Sequence, residues 1–131
     1  MTTVDETPNL AGRRILVAED EYMSKLILVD LLEELGATVV GSVSSVDGIL
    51  RAVDDHRPEI VTIDISLRGK RAYGAAASLQ ERGVPFVFIT GYSGLPGCPS
   101  ELRDAPRLRK PFTLEELATV LNAVLRQSGA S

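Results

Sequence analysis

Residues 59–65 read Glu-Ile-Val-Thr-Ile-Asp-Ile, directly after Arg57-Pro58. The run is short, β-branched and apolar, as a strand buried on both faces of a sheet requires. Asp64 lies inside it between Ile63 and Ile65, where a carboxylate is rarely placed without a partner. Working outward, Arg14 to Ala18 (Arg-Ile-Leu-Val-Ala) is a similar strand that runs into Glu19-Asp20-Glu21. Residues 23–35 carry a helical apolar pattern closed by Gly36, and residues 38–42 form a second short strand. Ser45 and Asp47 are suited to start a helix carrying Ile49, Leu50 and Val53. Beyond Asp64, a loop with Arg68-Gly69-Lys70 leads to an Ala-rich helix over 72–82 that ends at Gly83, and Phe86 to Thr90 is a fourth strand.

Residues 91–106 are punctuated by Gly91, Gly94, Pro96, Gly97 and Pro99, which predicts an irregular segment with at most a short helix near 100–104. Residues 107–110 make a weak fifth strand. Thr113, with Glu116 three residues on, predicts a capping box for a last helix whose apolar face is Leu114, Leu117, Val120, Leu121 and Val124. Five strands alternating with helices predict an α/β fold: a parallel sheet, doubly wound, with helices on both faces. No internal repeat or low-complexity stretch interrupts it.

In such a sheet, chemistry gathers beyond the carboxyl ends of the strands. Those ends carry Glu19 and Asp20, Asp64, Thr90 and Lys110. Three neighbouring carboxylates repel one another unless a cation joins them, and Mg2+ prefers oxygen ligands. A carboxylate can also act as a nucleophile toward phosphorus, with metal and lysine meeting the charge on the phosphoryl oxygens. Each residue has a plainer alternative. Glu19-Asp20-Glu21 could simply be the acidic first turn of a helix, Thr90 a good strand residue, and Lys110-Pro111 a turn.

Composition narrows the function classes. The chain has 131 residues, 44% hydrophobic and 5% aromatic, which fits one domain with an aliphatic core. Fourteen basic against 18 acidic residues give a net charge of -4, which disfavours nucleic acid as a partner. The cluster Arg103, Arg107, Arg109 and Lys110 is either a solvated face or a docking surface. No apolar run is long enough to enter a membrane as a span. The polar N-terminus and the lone Cys98 point to the cytoplasm. One Cys and one His exclude a zinc-ligand set. His56, at an expected helix end, reads as a capping or exposed histidine.

The chain resembles bacterial two-component response-regulator receiver domains over residues 13–127. The matching pieces are Ile15-Leu-Val-Ala-Glu-Asp20, Ile60-Val-Thr-Ile-Asp64, Phe88-Ile-Thr-Gly91 and Arg109-Lys-Pro-Phe112. The resemblance implies a flavodoxin-like sheet of order 2-1-3-4-5, with residues 1–12 a flexible segment and 128–131 a tail. It implies Asp64 as phosphoacceptor, with Mg2+ bound by Asp20, Asp64 and the Ser66 backbone carbonyl, and by Glu19 through a water. Thr90 and Lys110 would contact the phosphoryl group. The implied partners are a sensor histidine kinase or phosphotransfer protein and a further downstream protein, and the chain itself would be no enzyme beyond autodephosphorylation.

Three features depart from the usual receiver. Leu67-Arg68-Gly69 replaces a Met-Pro and Gly after the acceptor. Arg107 occupies the place of the aromatic switch residue. Thr90 is followed by Gly91-Tyr92, so that Phe86-Val-Phe-Ile-Thr-Gly-Tyr resembles the variant subfamily with a Phe-Ala-Thr-Gly-x-Tyr motif. That subfamily implies a stand-alone receiver, a short or disordered fourth helix and a kinase of the HWE or a related class. The expected partner surface is Tyr92, Arg103, Arg107 and Arg109. Two alternatives come from other classes: a phosphorylation-independent pseudo-receiver, and a haloacid-dehalogenase-type phosphatase. The latter would need a second Asp at position 66, where this chain has Ser66.

Overall fold

A computed structural model describes residues 9–128. Its main sheet has strands β1 (Arg14–Ala18), β2 (Thr38–Val43), β3 (Ile60–Asp64), β4 (Phe86–Thr90) and β5 (Arg107–Arg109). All neighbours pair in parallel, in the order β2-β1-β3-β4-β5. The helices are α1 (Tyr22–Glu34), α2 (Ile49–His56), α3 (Tyr73–Arg82) and α4 (Leu114–Gln127). This is the doubly wound parallel sheet expected from the alternation, in the flavodoxin-like order that the resemblance implied.

Because side chains alternate across a strand, each central strand feeds two cores. Ile15, Val17, Ile60, Val87 and Ile89 meet Leu28 and Leu32 of α1 and Leu117 and Leu121 of α4 on one face. Leu16, Val61, Ile63, Phe86 and Phe88 meet Ile49 and Val53 of α2 and Ala76 and Leu79 of α3 on the other.

Local signals were met in kind. Thr113 Oγ1 accepts from the Glu116 N–H while Glu116 Oε1 accepts from the Thr113 N–H, the capping box read from sequence. Gly83, at φ 74, closes α3 in the left-handed conformation that lacks a Cβ penalty. His56 is exposed at the end of α2, and its backbone carbonyl accepts from the Arg14 guanidinium. The segment after β4 contains only a 3-10 turn, Ser100–Leu102, in place of a regular helix.

Three readings are corrected. Ser45 makes no capping bond, and a 3-10 turn (Val46–Gly48) leads into α2 instead. The stretch expected as a plain loop after Asp64 is a small antiparallel hairpin pairing Ser66 with Arg71 and Leu67 with Lys70. Its turn uses positive φ at Arg68 (52) and Gly69 (81). Of the N-terminal segment taken as flexible, residues 1–8 lie outside the described residues, but 9–12 are fixed. Leu10 is completely buried, its N–H donates to Leu35 O, and Gly12 N–H donates to Gly36 O. Of the tail, residues 129–131 lie outside the described residues.

Candidate phosphoryl and metal site

The parallel order brings the carboxyl ends of β1, β3, β4 and β5 to one edge of the sheet. Glu19, Asp20 and Asp64 converge there, each offering a carboxylate oxygen within 4.8 Å of the others. Glu19 is buried, Asp20 exposed and Asp64 between the two. Lys110, just past β5, reaches in: its Nζ lies 3.1 Å from Glu19 Oε1 and 3.4 Å from Asp64 Oδ2. The Lys110–Pro111 peptide is cis.

Backbone donors hold the acids. The Glu21 N–H donates to Glu19 Oε2 (3.1 Å), and the Ser66 N–H to Asp64 Oδ1 (2.9 Å). The Arg68 N–H, at the hairpin turn, donates to Asp20 Oδ2 (2.9 Å). Glu21 itself caps α1, accepting from the Ser24 and Met23 N–H groups.

The electrostatics follow from this crowding. Burial, reinforced by repulsion from Asp64, pushes the Glu19 carboxyl up, against the Glu21 N–H and the Lys110 ammonium. Burial alone would lower Lys110, but attraction to Glu19 and Asp64 outweighs it and raises the ammonium above its ordinary value. One lysine opposes three carboxylates, so the cluster keeps an excess of negative charge. That hard oxygen donor set fits Mg2+, which binds through a few carboxylates and retains waters.

Thr90 ends β4 almost fully buried. Its carbonyl accepts from the Lys110 N–H (2.7 Å) and its Oγ1 from the Tyr92 N–H (2.9 Å). The four residues of the basic and aromatic set, Tyr92, Arg103, Arg107 and Arg109, are exposed outside this cluster. Arg107 does not face the site, and its guanidinium donates to the Arg103 carbonyl.

Two features near the site escaped the sequence reading. Arg68 closes on Asp20 through its backbone, which no side-chain pattern announces. Helix α1 is apolar on more than its core side: Tyr22, Met23 and Ile27 are each more than half exposed. An apolar run read only for periodicity does not reveal which residues stay outside. A groove of about 220 Å³ lies between α1 and the β5–α4 loop, lined by Ser24, Ile27, Leu31, Lys110 and Phe112. A larger cleft, at Gly83, Pro85, Pro106 and Val124, opens at the opposite ends of the strands, away from the acids.

Comparison with known proteins agrees with this arrangement. The Response regulator receiver domain family matches residues 15–122. The solution structure of SdrG from Sphingomonas melonis Fr1 is 38% identical with a TM-score of 0.74, covering 89% of this chain and 98% of that one. The response regulator PhyR from Brucella abortus is 26% identical with a TM-score of 0.78, covering 93% and 51%. The transcriptional regulatory protein PdtaR of Mycobacterium tuberculosis is 28% identical over 109 residues, 80% of this chain and 53% of that protein. The chain thus spans about half the length of the curated relative PdtaR. Among the described residues no helix is long and apolar enough to cross a membrane. The acids, threonine and lysine at the strand ends and the family match over 15–122 lead to one assignment: this chain belongs to the response regulator receiver domain family.

Proposed function

We propose that Asp64 accepts a phosphoryl group from a phosphohistidine on a sensor histidine kinase or phosphotransfer protein. The observation that carries this is the Lys110 ammonium set between Glu19 and Asp64, with Asp20 completing a three-carboxylate cluster. An Asp64 carboxylate oxygen forms the bond to phosphorus while the phosphorus–imidazole bond breaks, its electron pair remaining on the ring nitrogen. Lys110 is placed to pair with a phosphoryl oxygen once that charge arrives. The Thr90 hydroxyl can donate to another phosphoryl oxygen while still accepting from the Tyr92 N–H.

Asp20, Asp64 and the Ser66 carbonyl would hold Mg2+ directly, and Glu19 through water. When bound, the cation neutralises charge on the acids and on the phosphoryl oxygens. The α1 groove opens beside Lys110, so the donor protein approaches over Ile27 and Phe112. Tyr92, Arg103, Arg107 and Arg109 form a separate surface for a downstream protein, and the chain signals by that docking or drains phosphoryl groups from a shared kinase. The Phe86–Tyr92 motif favours the Phe-Ala-Thr-Gly-x-Tyr subfamily and a kinase of the HWE or a related class.

Intact mass after incubation with acetyl phosphate, with and without Mg2+, tests the reading. One phosphoryl adduct is expected, lost without Mg2+ and lost in Asp64→Asn. If neither acetyl phosphate nor phosphorylated kinase leaves an adduct on the wild type, Asp64 is not an acceptor, and a phosphorylation-independent binding module becomes the better account.

A further inference from the structure

The segment that follows Thr90 rests on the hairpin that follows Asp64. The Arg71 guanidinium carbon lies 5.8 Å from the centre of the Tyr92 ring, within cation–π range. The Tyr73 hydroxyl donates to the Pro96 carbonyl at 2.7 Å. Both anchors sit on residues 71 and 73, at the junction of hairpin and α3. Tyr73 is itself fixed, buried and edge-on to Phe88 of β4 at 5.6 Å. The segment's own backbone bonds are local, such as Cys98 N–H to Leu95 O.

Each end of this seat is wired to the acids. On one side, Ser66 N–H holds Asp64 and Arg68 N–H holds Asp20; the pairing of Ser66 with Arg71 then carries the position of both acids to residue 71. Ala72 N–H, bonded to Ile65 O, keeps that junction on the end of β3. On the other side, Tyr92 N–H is bonded to the hydroxyl of Thr90.

We propose that Arg71 and Tyr92 form a clasp that reads the state of Asp64 and passes it to residues 91–99, with Tyr73 and Pro96 as the pivot. The proposal rests on the phosphoacceptor reading above and names how that site is coupled to its surface. A phosphoryl group on Asp64 engages the Thr90 hydroxyl. The Tyr92 amide follows Thr90, and the Tyr92 ring shifts against the guanidinium of Arg71, whose backbone the hairpin holds in register with Ser66. In this chain, where position 107 is arginine, the clasp takes the place of a buried aromatic switch. Arg71 and Tyr92 are positioning residues; neither touches the reacting atoms.

The test is backbone amide exchange over residues 91–99, with and without beryllofluoride and Mg2+, in the wild type, Arg71→Gln, Tyr92→Leu and Tyr92→Phe. Both substituted side chains, Arg71 and Tyr92, are exposed, so the fold is retained, and intact mass with acetyl phosphate checks the acceptor in each protein. Without the analogue, exchange should be about two- to fivefold faster in Arg71→Gln and Tyr92→Leu, matching a lost exposed cation–π contact. Their response to beryllofluoride should be at least halved, while Tyr92→Phe, which keeps the ring, behaves as wild type. Adducts in every protein with an unchanged response in Arg71→Gln would overturn the clasp and leave Asp64 as acceptor. Tyr92→Phe behaving like Tyr92→Leu would also overturn it, since the hydroxyl and not the ring face would then matter. A wild type with no adduct from either acetyl phosphate or phosphorylated kinase would remove the acceptor reading and the clasp together.

Discussion

Thr62 sits two residues before Asp64 and is completely buried, yet its hydroxyl has no hydrogen-bond partner among the described residues. A buried hydroxyl without a partner costs about 1–3 kcal/mol relative to its paired state. Thr62→Val keeps the shape and removes that group, so it should raise the urea unfolding free energy by about 1 kcal/mol. Glu19 presents the opposite case, a buried carboxylate that the site needs. Its folded pKa lies above the ordinary 4.5, so its contribution is favourable while protonated and is lost as pH rises through that range. In EDTA at pH 7, Glu19→Gln should therefore unfold at higher urea than wild type, and the gap should close below about pH 4. The same variant should gain less stability from added Mg2+ than wild type does. Asp64 was legible because isoleucines flank it in an apolar run. The Lys110–Glu19 contact was legible only through fold topology, since 91 residues separate the two.

At the level of elements, the length and order of strands and helices could be read from period and punctuation. What could not be read was short and held by tertiary bonds. Asn9 to Gly12 look polar and loose in sequence, but Leu10 fills the core between α1 and α4 and is pinned by the Leu35 carbonyl. Leu10→Ala should lower stability by about 2–5 kcal/mol, as emptying a buried leucine site does; a loss under 0.5 kcal/mol in a urea melt would show that the segment is dispensable. The hairpin 66–71 escaped for a related reason. Its two-residue strands are too short to show alternation, and a positive φ at Arg68 is not announced by an arginine.

Across the whole molecule, Glu59 ties the amino ends of β1 and β3 together, opposite the acidic site. Its carboxylate accepts from the Arg14 N–H (3.0 Å) and from the Arg13 guanidinium (2.8 Å). Partial burial alone would raise its pKa, but these donors prevail and hold it below 4.5. The tie is therefore at full strength above that value and is lost as pH falls through the lower folded pKa. Urea midpoints of wild type and Glu59→Gln should differ at pH 7, and the gap should narrow as pH falls below 4.5; a gap that does not narrow would mean the loss is one of shape rather than charge.

The last strand, β5, is three residues long and forms one rim of the sheet, with Arg107 and Arg109 exposed and Leu108 buried between them. An open rim invites a second chain to add its own strand. Two copies meeting rim to rim would set guanidinium against guanidinium, and like charges placed directly opposite oppose such pairing. Arg107, which stands where a switch residue would be expected, and Arg109 thus also keep the sheet from growing by self-templating at its unpaired side.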